Sequence, residues 1–282
     1  MGQPDQRLTT LVHAWGLTIE ETRRTNTSLL AFGWRGREPV VLKIIQESGD
    51  EGRSGEIANA FYGRGVVRVL EAVEGAVLLE RILPGNSLVP LVLAGRDDEA
   101  TGILANVIRQ MLAEPPGGCI TVEDWARGFD RYLRSADKTI PRDLVEEARD
   151  TYLRLCGTQK NRRLLHGDLH HENVIFDDRR GWLAIDPKGV VGEIEYEIGA
   201  ALRNPVDRPD LCASREILQR RIQIFEQALH LDTIRAVRWA FAQAVLSAIW
   251  SWEDGEPVDN ANSALLLARE IRASANLRSL AF

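Results

Sequence analysis

The chain reads as an α+β protein of two lobes, a small antiparallel-sheet lobe over residues 1–84 and a larger, mainly helical lobe over residues 85–282, joined into one unit. Two observations predict this. Ahead of Pro84-Gly85, apolar residues fall in short β-branched runs separated by glycine-containing turns, whereas beyond it they recur three and four apart. No internal repeat or low-complexity tract interrupts either part.

Taken in order, residues 28–34, 39–45, 66–73 and 76–83 have the length and composition of antiparallel strands, with Arg35-Gly36-Arg37 as a connecting turn. Residues 52–62 have helical composition and supply one covering helix between the second and third strands. In the second part, Thr121-Val122-Glu123-Asp124 opens a helix carrying Trp125, Phe129, Tyr132 and Leu133 on one face. Pro141 begins another with Leu144, Ala148 and Tyr152, and Asp232 caps a third with Ile234, Val237, Phe241, Val245 and Ile249.

Chemistry is concentrated between these helices, in His166-Gly167-Asp168-Leu169-His170-His171-Glu172-Asn173 and in Ile185-Asp186-Pro187. Magnesium takes oxygen ligands, and a nucleotide-bound ion leaves room for only one or two protein carboxylates or amides. Asn173 and Asp186 fit that need. A third carboxylate kept off the metal can hold an acceptor hydroxyl in line with the γ-phosphorus and take its proton, and Asp168 is the candidate. His166 reads as a buried orienting residue, because the Asp already serves as the base. A zinc site from His166, His170 and Glu172 is disfavoured, since Gly167 and the apolar run 174–176 indicate a loop entering a strand and no cysteine joins the histidines.

Lys43 lies in a strand whose alternate residues are apolar, so its charge must reach a counter-ion, and nucleotide phosphates supply one. Glu56, in the covering helix, is the candidate to orient it, with Glu51 as a rival. Backbone groups of Glu80-Arg81-Ile82, at the end of the strand before the lobe junction, are placed to meet adenine, which makes Glu80 and Ile82 the candidates there. No Gly-x-Gly-x-x-Gly covers the phosphates; Arg24-Thr25-Asn26-Thr27-Ser28 occupies that place, either as a source of backbone N–H donors or as an ordinary polar turn. A Gly-x-Ser-x-Gly elbow and a Cys-His pairing are both absent, so a covalent enzyme intermediate is not expected.

Composition sets outer limits. A chain of 282 residues with 44% hydrophobic content buries a substantial core. Its net charge of −6 argues against nucleic acid as a partner and suits a cationic small molecule. Three dispersed cysteines, Cys119, Cys156 and Cys212, imply no disulfide framework. Without a signal-like apolar core, a run of about 18 apolar residues, or a Ser or Thr at position 6 for myristoylation, the expectation is a soluble cytoplasmic protein off the membrane, monomer or homodimer.

Residues 166–173, 181–187, 192–193 and 200–205, with 63–70 and 78–81 upstream, resemble the aminoglycoside and hydroxyurea phosphotransferase family that contains the streptomycin 6-kinases. The resemblance implies a protein-kinase-like two-lobed fold, ATP and Mg2+ as cofactors, and an alcohol acceptor. It also implies a cationic acceptor, streptomycin, whose guanidinium groups require carboxylates. Two clusters can edge such a pocket: Glu193, Glu195 and Glu197 after the metal loop, or Glu253, Asp254 and Glu256 after a late helix, where Trp250 or Trp252 would add a flat wall. Glu193 and, in the second cluster, Trp250 and Glu253 are the acceptor candidates. A kinase of another metabolite, such as a sugar or amino sugar, would use the same core. A nucleotide-binding pseudokinase is disfavoured, since lysine, base and both metal ligands are all present.

Overall fold

The computed structural model of the chain describes residues 3–46, 53–206 and 208–274. The first part comprises α1 (Gln3–Ala14), β1 (Leu17–Arg24), β2 (Ser28–Arg35), β3 (Glu38–Ile45), α2 (Ser54–Ala60), β4 (Val69–Val73) and β5 (Ala76–Glu80). Its strands form an antiparallel sheet in the order β1-β2-β3-β5-β4. The period-two rule gives that sheet two distinct faces. Leu29, Ala31, Val40, Leu42, Ile44, Ala76 and Leu78 point one way and form a small core with Leu11 of α1. Register sets Leu30 opposite Lys43 and Lys43 opposite Val77, while Phe32, Val41 and Leu79 form the adjacent row. This second face is left for the interlobe cleft.

The chain then passes through β6 (Pro84–Ser87), α3 (Val89–Leu93), α4 (Asp97–Gln110), α5 (Val122–Trp125), α6 (Arg127–Arg134), α7 (Arg142–Cys156), β7 (Arg163–Leu165), β8 (Val174–Asp177), β9 (Gly181–Ala184), β10 (Val190–Gly192), α8 (Ile194–Leu202), α9 (Pro209–Cys212), α10 (Arg215–Leu229), α11 (Thr233–Glu253) and α12 (Ser263–Ala273). One apolar cluster fills this part, and Ile57 and Phe61 of α2 belong to it rather than to the small core above. Helix α2 is thus anchored against the second part, beside Gly189, where a Cβ would lie 2.5 Å from Ile57. Among the described residues no helix is long and apolar enough to cross a membrane.

Several boundaries differ from the expectation, through strand pairing or local capping. Strand β1 was not anticipated: Glu20, Glu21, Arg23 and Arg24 obscure its period, and it forms by pairing along β2. Residues 66–67 do not begin β4. The Val67 N–H donates to the Ala184 carbonyl at 2.9 Å and the Ala184 N–H to the Gly65 carbonyl at 2.8 Å, tying the first part to the end of β9. The segment opening at Thr121 is two short helices: a capping box between Thr121 and Asp124 starts α5, and α6 begins at Arg127. Asp232 caps α11 as expected, accepting from the Arg235 N–H. Glu51 lies outside the described residues.

Arg221 of α10, 1% exposed, is the most deeply buried charge of the second part. It donates to both Asp97 oxygens at 3.0 and 2.6 Å and to the carbonyls of Ala201 and Asn204 at 3.1 and 2.9 Å, capping the C-terminal end of α8. Removing one partner of such a pair leaves a buried charge uncompensated. Asp97→Ala should therefore destabilise the fold by about 3–5 kcal/mol in denaturant unfolding, and a loss below about 1 kcal/mol, the range of exposed pairs, would contradict this account of the α8 terminus.

Candidate active site

Two loops, one between β7 and β8 and one after β9, are held together by His166. Its Nε2–H donates to the Ile185 carbonyl at 2.9 Å, and its Nδ1 faces the Asp168 N–H at 3.3 Å. Its own carbonyl accepts from the N–H groups of Lys188 and Gly189 at 2.9 and 3.1 Å. The Ile185 N–H closes the set by donating to the Asn173 carbonyl at 2.9 Å. Burial lowers the His166 pKa to about 4, against the raising effect of the Ile185 bond, so the ring is neutral near pH 7 with both nitrogens engaged. It orients the loops and has no ring nitrogen to give a zinc ion. Gly167, at φ +83, permits the turn and the close approach of Trp125, whose ring lies 2.8 Å from where a Cβ would sit.

This arrangement brings Asp168, Asn173, Asp186 and Lys43 to one place. Lys43 Nζ meets Asp186 Oδ1 at 2.6 Å, and Lys188 Nζ lies 3.6 Å from Asp186 Oδ2. Burial opposes ionisation of Asp186, but the charges of Lys43 and Lys188 outweigh it and hold the carboxyl below its ordinary pKa. Asp186 adopts φ +57, sparsely populated for a residue with a side chain, as befits a carboxylate aimed by its surroundings. Asn173 Nδ2 donates to the Asp168 carbonyl at 3.0 Å, so its Oδ1 must face away from that contact. One amide oxygen and one carboxylate on the same cleft suit a magnesium ion whose other ligands are phosphate oxygens and water. Among the described residues no group of three or more His, Cys, Asp or Glu could hold a metal by itself.

Asp168 keeps a side-chain exposure of 31%. Burial pushes its pKa upward, yet His170, 3.7 Å away, and Arg203, at 3.0 Å, hold it well below the carboxylate range. Arg203 was not expected here from sequence. Glu197, one of the three glutamates expected to edge a cationic pocket, instead accepts from the Gly167 N–H at 3.3 Å and thereby fixes the loop from below.

Asn173 and Asp186 line a cleft of about 910 Å3 that also takes in Lys43, Lys188 and the turn at Thr25, Asn26, Thr27 and Ser28. The free face of the sheet supplies its apolar roof, and Ile82, Ile175 and Ile185 line it as well. The expected adenine-side residues border it, with part of their capacity committed. The Glu80 N–H donates to the Arg68 carbonyl, while its carboxylate binds Arg180 and accepts from the Arg68 N–H. Gly85, at φ +79, leaves the Ile82 carbonyl uncovered by any side chain at that position. Glu56 is bonded to Arg53 at 2.8 Å and stands at the surface, so the partner of Lys43 visible here is Asp186.

A second pocket of about 910 Å3 adjoins the first, with Thr27 and Lys188 common to both. Asp168 and Arg203 form part of its wall, facing Trp125, Trp250, Asp124 and Asp254. Trp250 lines this pocket, edge-on to Trp125 at 5.3 Å. Glu253 stands behind the pocket, gripping Arg131 at 2.7 and 2.8 Å. Glu193 is not brought to it. At 2% exposure it is enclosed by Arg235, the indole N–H of Trp239 and the Lys160 N–H, and it anchors α11 to the start of α8. Three carboxylates line the pocket, Asp124, Asp168 and Asp254, and the pKa of Asp254 is raised by burial and by repulsion from Glu256 and Glu253.

A family profile described as aminoglycoside/hydroxyurea antibiotic resistance kinase matches residues 18–255. A streptomycin 3''-kinase from Klebsiella pneumoniae is 30% identical over 242 residues, covering 83% of this chain and 88% of that protein. A streptomycin 6-kinase from Streptomyces griseus is 32% identical over 208 residues, 70% of this chain and 65% of that one. Among solved structures, the aminoglycoside phosphotransferase APH(4)-Ia superposes with a TM-score of 0.68 at 16% identity, covering 96% of this chain and 99% of its own, so the protein-kinase-like two-lobed fold is shared.

Burial raises the Glu197 pKa from 4.5 to about 8, partly offset by its backbone hydrogen bonds to Gly167 and His166. A folded-state pKa above the unfolded value means that the folded chain binds the proton more tightly. The resulting stability is fully present below about pH 4.5 and is lost as pH rises through about 8. Glu197→Gln should therefore flatten the fall in Tm between pH 5 and 8.5, read by calorimetry; a slope equal to that of the wild type would contradict a buried, protonated Glu197.

Proposed function

The chain belongs to the aminoglycoside/hydroxyurea antibiotic resistance kinase family, and we propose that it transfers the γ-phosphoryl group of ATP to a hydroxyl of streptomycin. The observation that carries this reading is the meeting of two pockets at Thr27 and Lys188: one rich in phosphate-binding chemistry, the other walled by two indoles and by Asp124, Asp168 and Asp254 among the basic side chains Arg127, Arg131, Lys188 and Arg203.

In this mechanism the triphosphate lies along the first cleft, with Lys43 and Lys188 as counter-charges and the turn 25–28 over it. Asn173 and Asp186 hold magnesium, which when bound neutralises phosphate charge. Asp168 faces the acceptor hydroxyl, orients it in line with the γ-phosphorus and accepts its proton as the O–P bond forms and the bond to the ADP oxygen breaks. The transfer is direct, with no phosphorylated side chain.

For the acceptor, Asp254 is the carboxylate of the second pocket that most needs a cation, because burial and like charge both disfavour its ionised form. A guanidinium group relieves that cost and can also lie against the indole of Trp250 or Trp125, an attraction of roughly 0.5–2 kcal/mol.

With radiolabelled ATP, the purified enzyme should phosphorylate streptomycin in preference to kanamycin, whose charges are ammonium groups on a different ring geometry. Trp250→Ala and Asp254→Asn should each raise KM for streptomycin roughly 2- to 30-fold with ATP kinetics unaltered. Asp168→Asn should lower turnover by on the order of 10²–10⁴. Indifference to millimolar streptomycin by an enzyme that phosphorylates another alcohol sinks the acceptor assignment and leaves the kinase standing.

A further inference from the structure

Arg203 occupies the C-terminal cap of α8 and is 7% exposed. Its Nη2 donates to Asp168 Oδ1 at 3.0 Å, and its Nη1 donates to Gln243 Oε1 of α11 at 2.9 Å. Gln243 is itself 1% exposed and fills the space that a Cβ at Gly199 would need, so the absence of a side chain at Gly199 makes room for this anchor. The backbone on both sides of Arg203 is held as well, through the carbonyls of Leu202 and Asn204 on Arg221 at 3.5 and 2.9 Å. A long cationic side chain ordinarily has several rotamers to lose. Here its planar head is bonded at two edges and its root is clamped.

We propose that Arg203 is a positioning residue for phosphoryl transfer, fixing the Asp168 carboxylate so that one oxygen stays on the guanidinium and the other is presented to the acceptor hydroxyl. A carboxylate bonded through neither oxygen can turn about its terminal torsion, a broad and soft coordinate. With Oδ1 committed to Arg203, that turn is stopped. Oδ2 lies on the His170 side, at 3.7 Å from Nε2, within the wall of the acceptor pocket. A cation on a base also weakens it, which a reaction dependent on full deprotonation would tolerate poorly. Phosphoryl transfer through a loose transition state relies mainly on alignment of nucleophile and phosphorus, so orientation outweighs lost basicity. Gln243 makes the device directional: it holds the far edge of the guanidinium, so Arg203 cannot follow Asp168 if the carboxylate swings.

The inference rests on the reading of Asp168 as the residue that meets the acceptor hydroxyl, and a double-mutant cycle isolates it. Arg203→Met is measured alone and in an Asp168→Asn background, with radiolabelled ATP and streptomycin. In the wild-type background we expect kcat to fall about 10- to 100-fold, with KM for ATP within about twofold. In the Asp168→Asn background the same change should cost less than about twofold, because the group through which Arg203 acts is already gone. Arg203→Lys, which keeps the charge but lacks the planar fork, guards against a folding defect and should show a smaller loss with the same non-additivity. Wild-type kcat in either folded variant, or a loss that multiplies in full in the Asp168→Asn background, overturns the proposal. Absence of transfer to streptomycin by the wild type counts against the acceptor assignment alone, and the cycle is then read on the alcohol that the wild type does phosphorylate.

Discussion

The geometry of the site depends on one buried residue that lines neither pocket. His166 binds the Ile185 carbonyl through its ring, meets the Asp168 N–H with its other nitrogen, and accepts from Lys188 and Gly189 with its carbonyl. Through these bonds the loop carrying Asp168 and Asn173 and the segment carrying Asp186 and Lys188 become one body. A neutral imidazole suits this task because its donor and acceptor are distinct and fixed. Charging it would place two donors where one acceptor is required, which is why burial, holding its pKa near 4, protects the arrangement.

Around that latch, each charge is placed by what surrounds it. Lys43 projects from the free face of a sheet whose opposite face is core, so the period of the strand that buries Leu42 and Ile44 also delivers a cation to the cleft. Asp186 answers it across the cleft at 2.6 Å. Segment 65–67 pairs with the end of β9, and α2 packs on Gly189, so the sheet is tied to the segment carrying Asp186 on two sides. The second pocket is built instead from helix ends: α5 supplies Trp125, α11 supplies Trp250 with Asp254 just beyond it, and α8 delivers Arg203. The two pockets are thus lined by different kinds of structure, with Thr27 and Lys188 common to both.

Features set by local residue order were legible in the sequence. The spacing of Asp168, Asn173 and Asp186 within one loop–hairpin unit pointed to phosphoryl transfer, the chemistry of the family to which the chain belongs, and the alternation around Lys43 identified its strand. Features set by pairing across the fold were not. Glu193 follows a glycine after the metal segment and looked available, but Arg235 and Trp239, more than forty residues on, enclose it. Glu56 had the right helix, and here the competing contact is local: an arginine three residues earlier takes it. Arg203 carried no local signal of contact with Asp168, since an arginine at a helix terminus reads as solvated until α11 covers it. Strand β1 was missed because its outward-facing charges broke the period, although β2 imposes the strand by hydrogen bonding.

The central claim is a division of labour between two carboxylates less than twenty residues apart, Asp186 on metal and Asp168 on acceptor, and calorimetric titration of ATP with and without magnesium tests it most directly. Magnesium should tighten ATP binding to the wild type, and Asp168→Asn should retain most of that gain while Asp186→Ala loses it. Magnesium dependence that survives in folded Asp186→Ala, or disappears equally in both variants, would contradict the account.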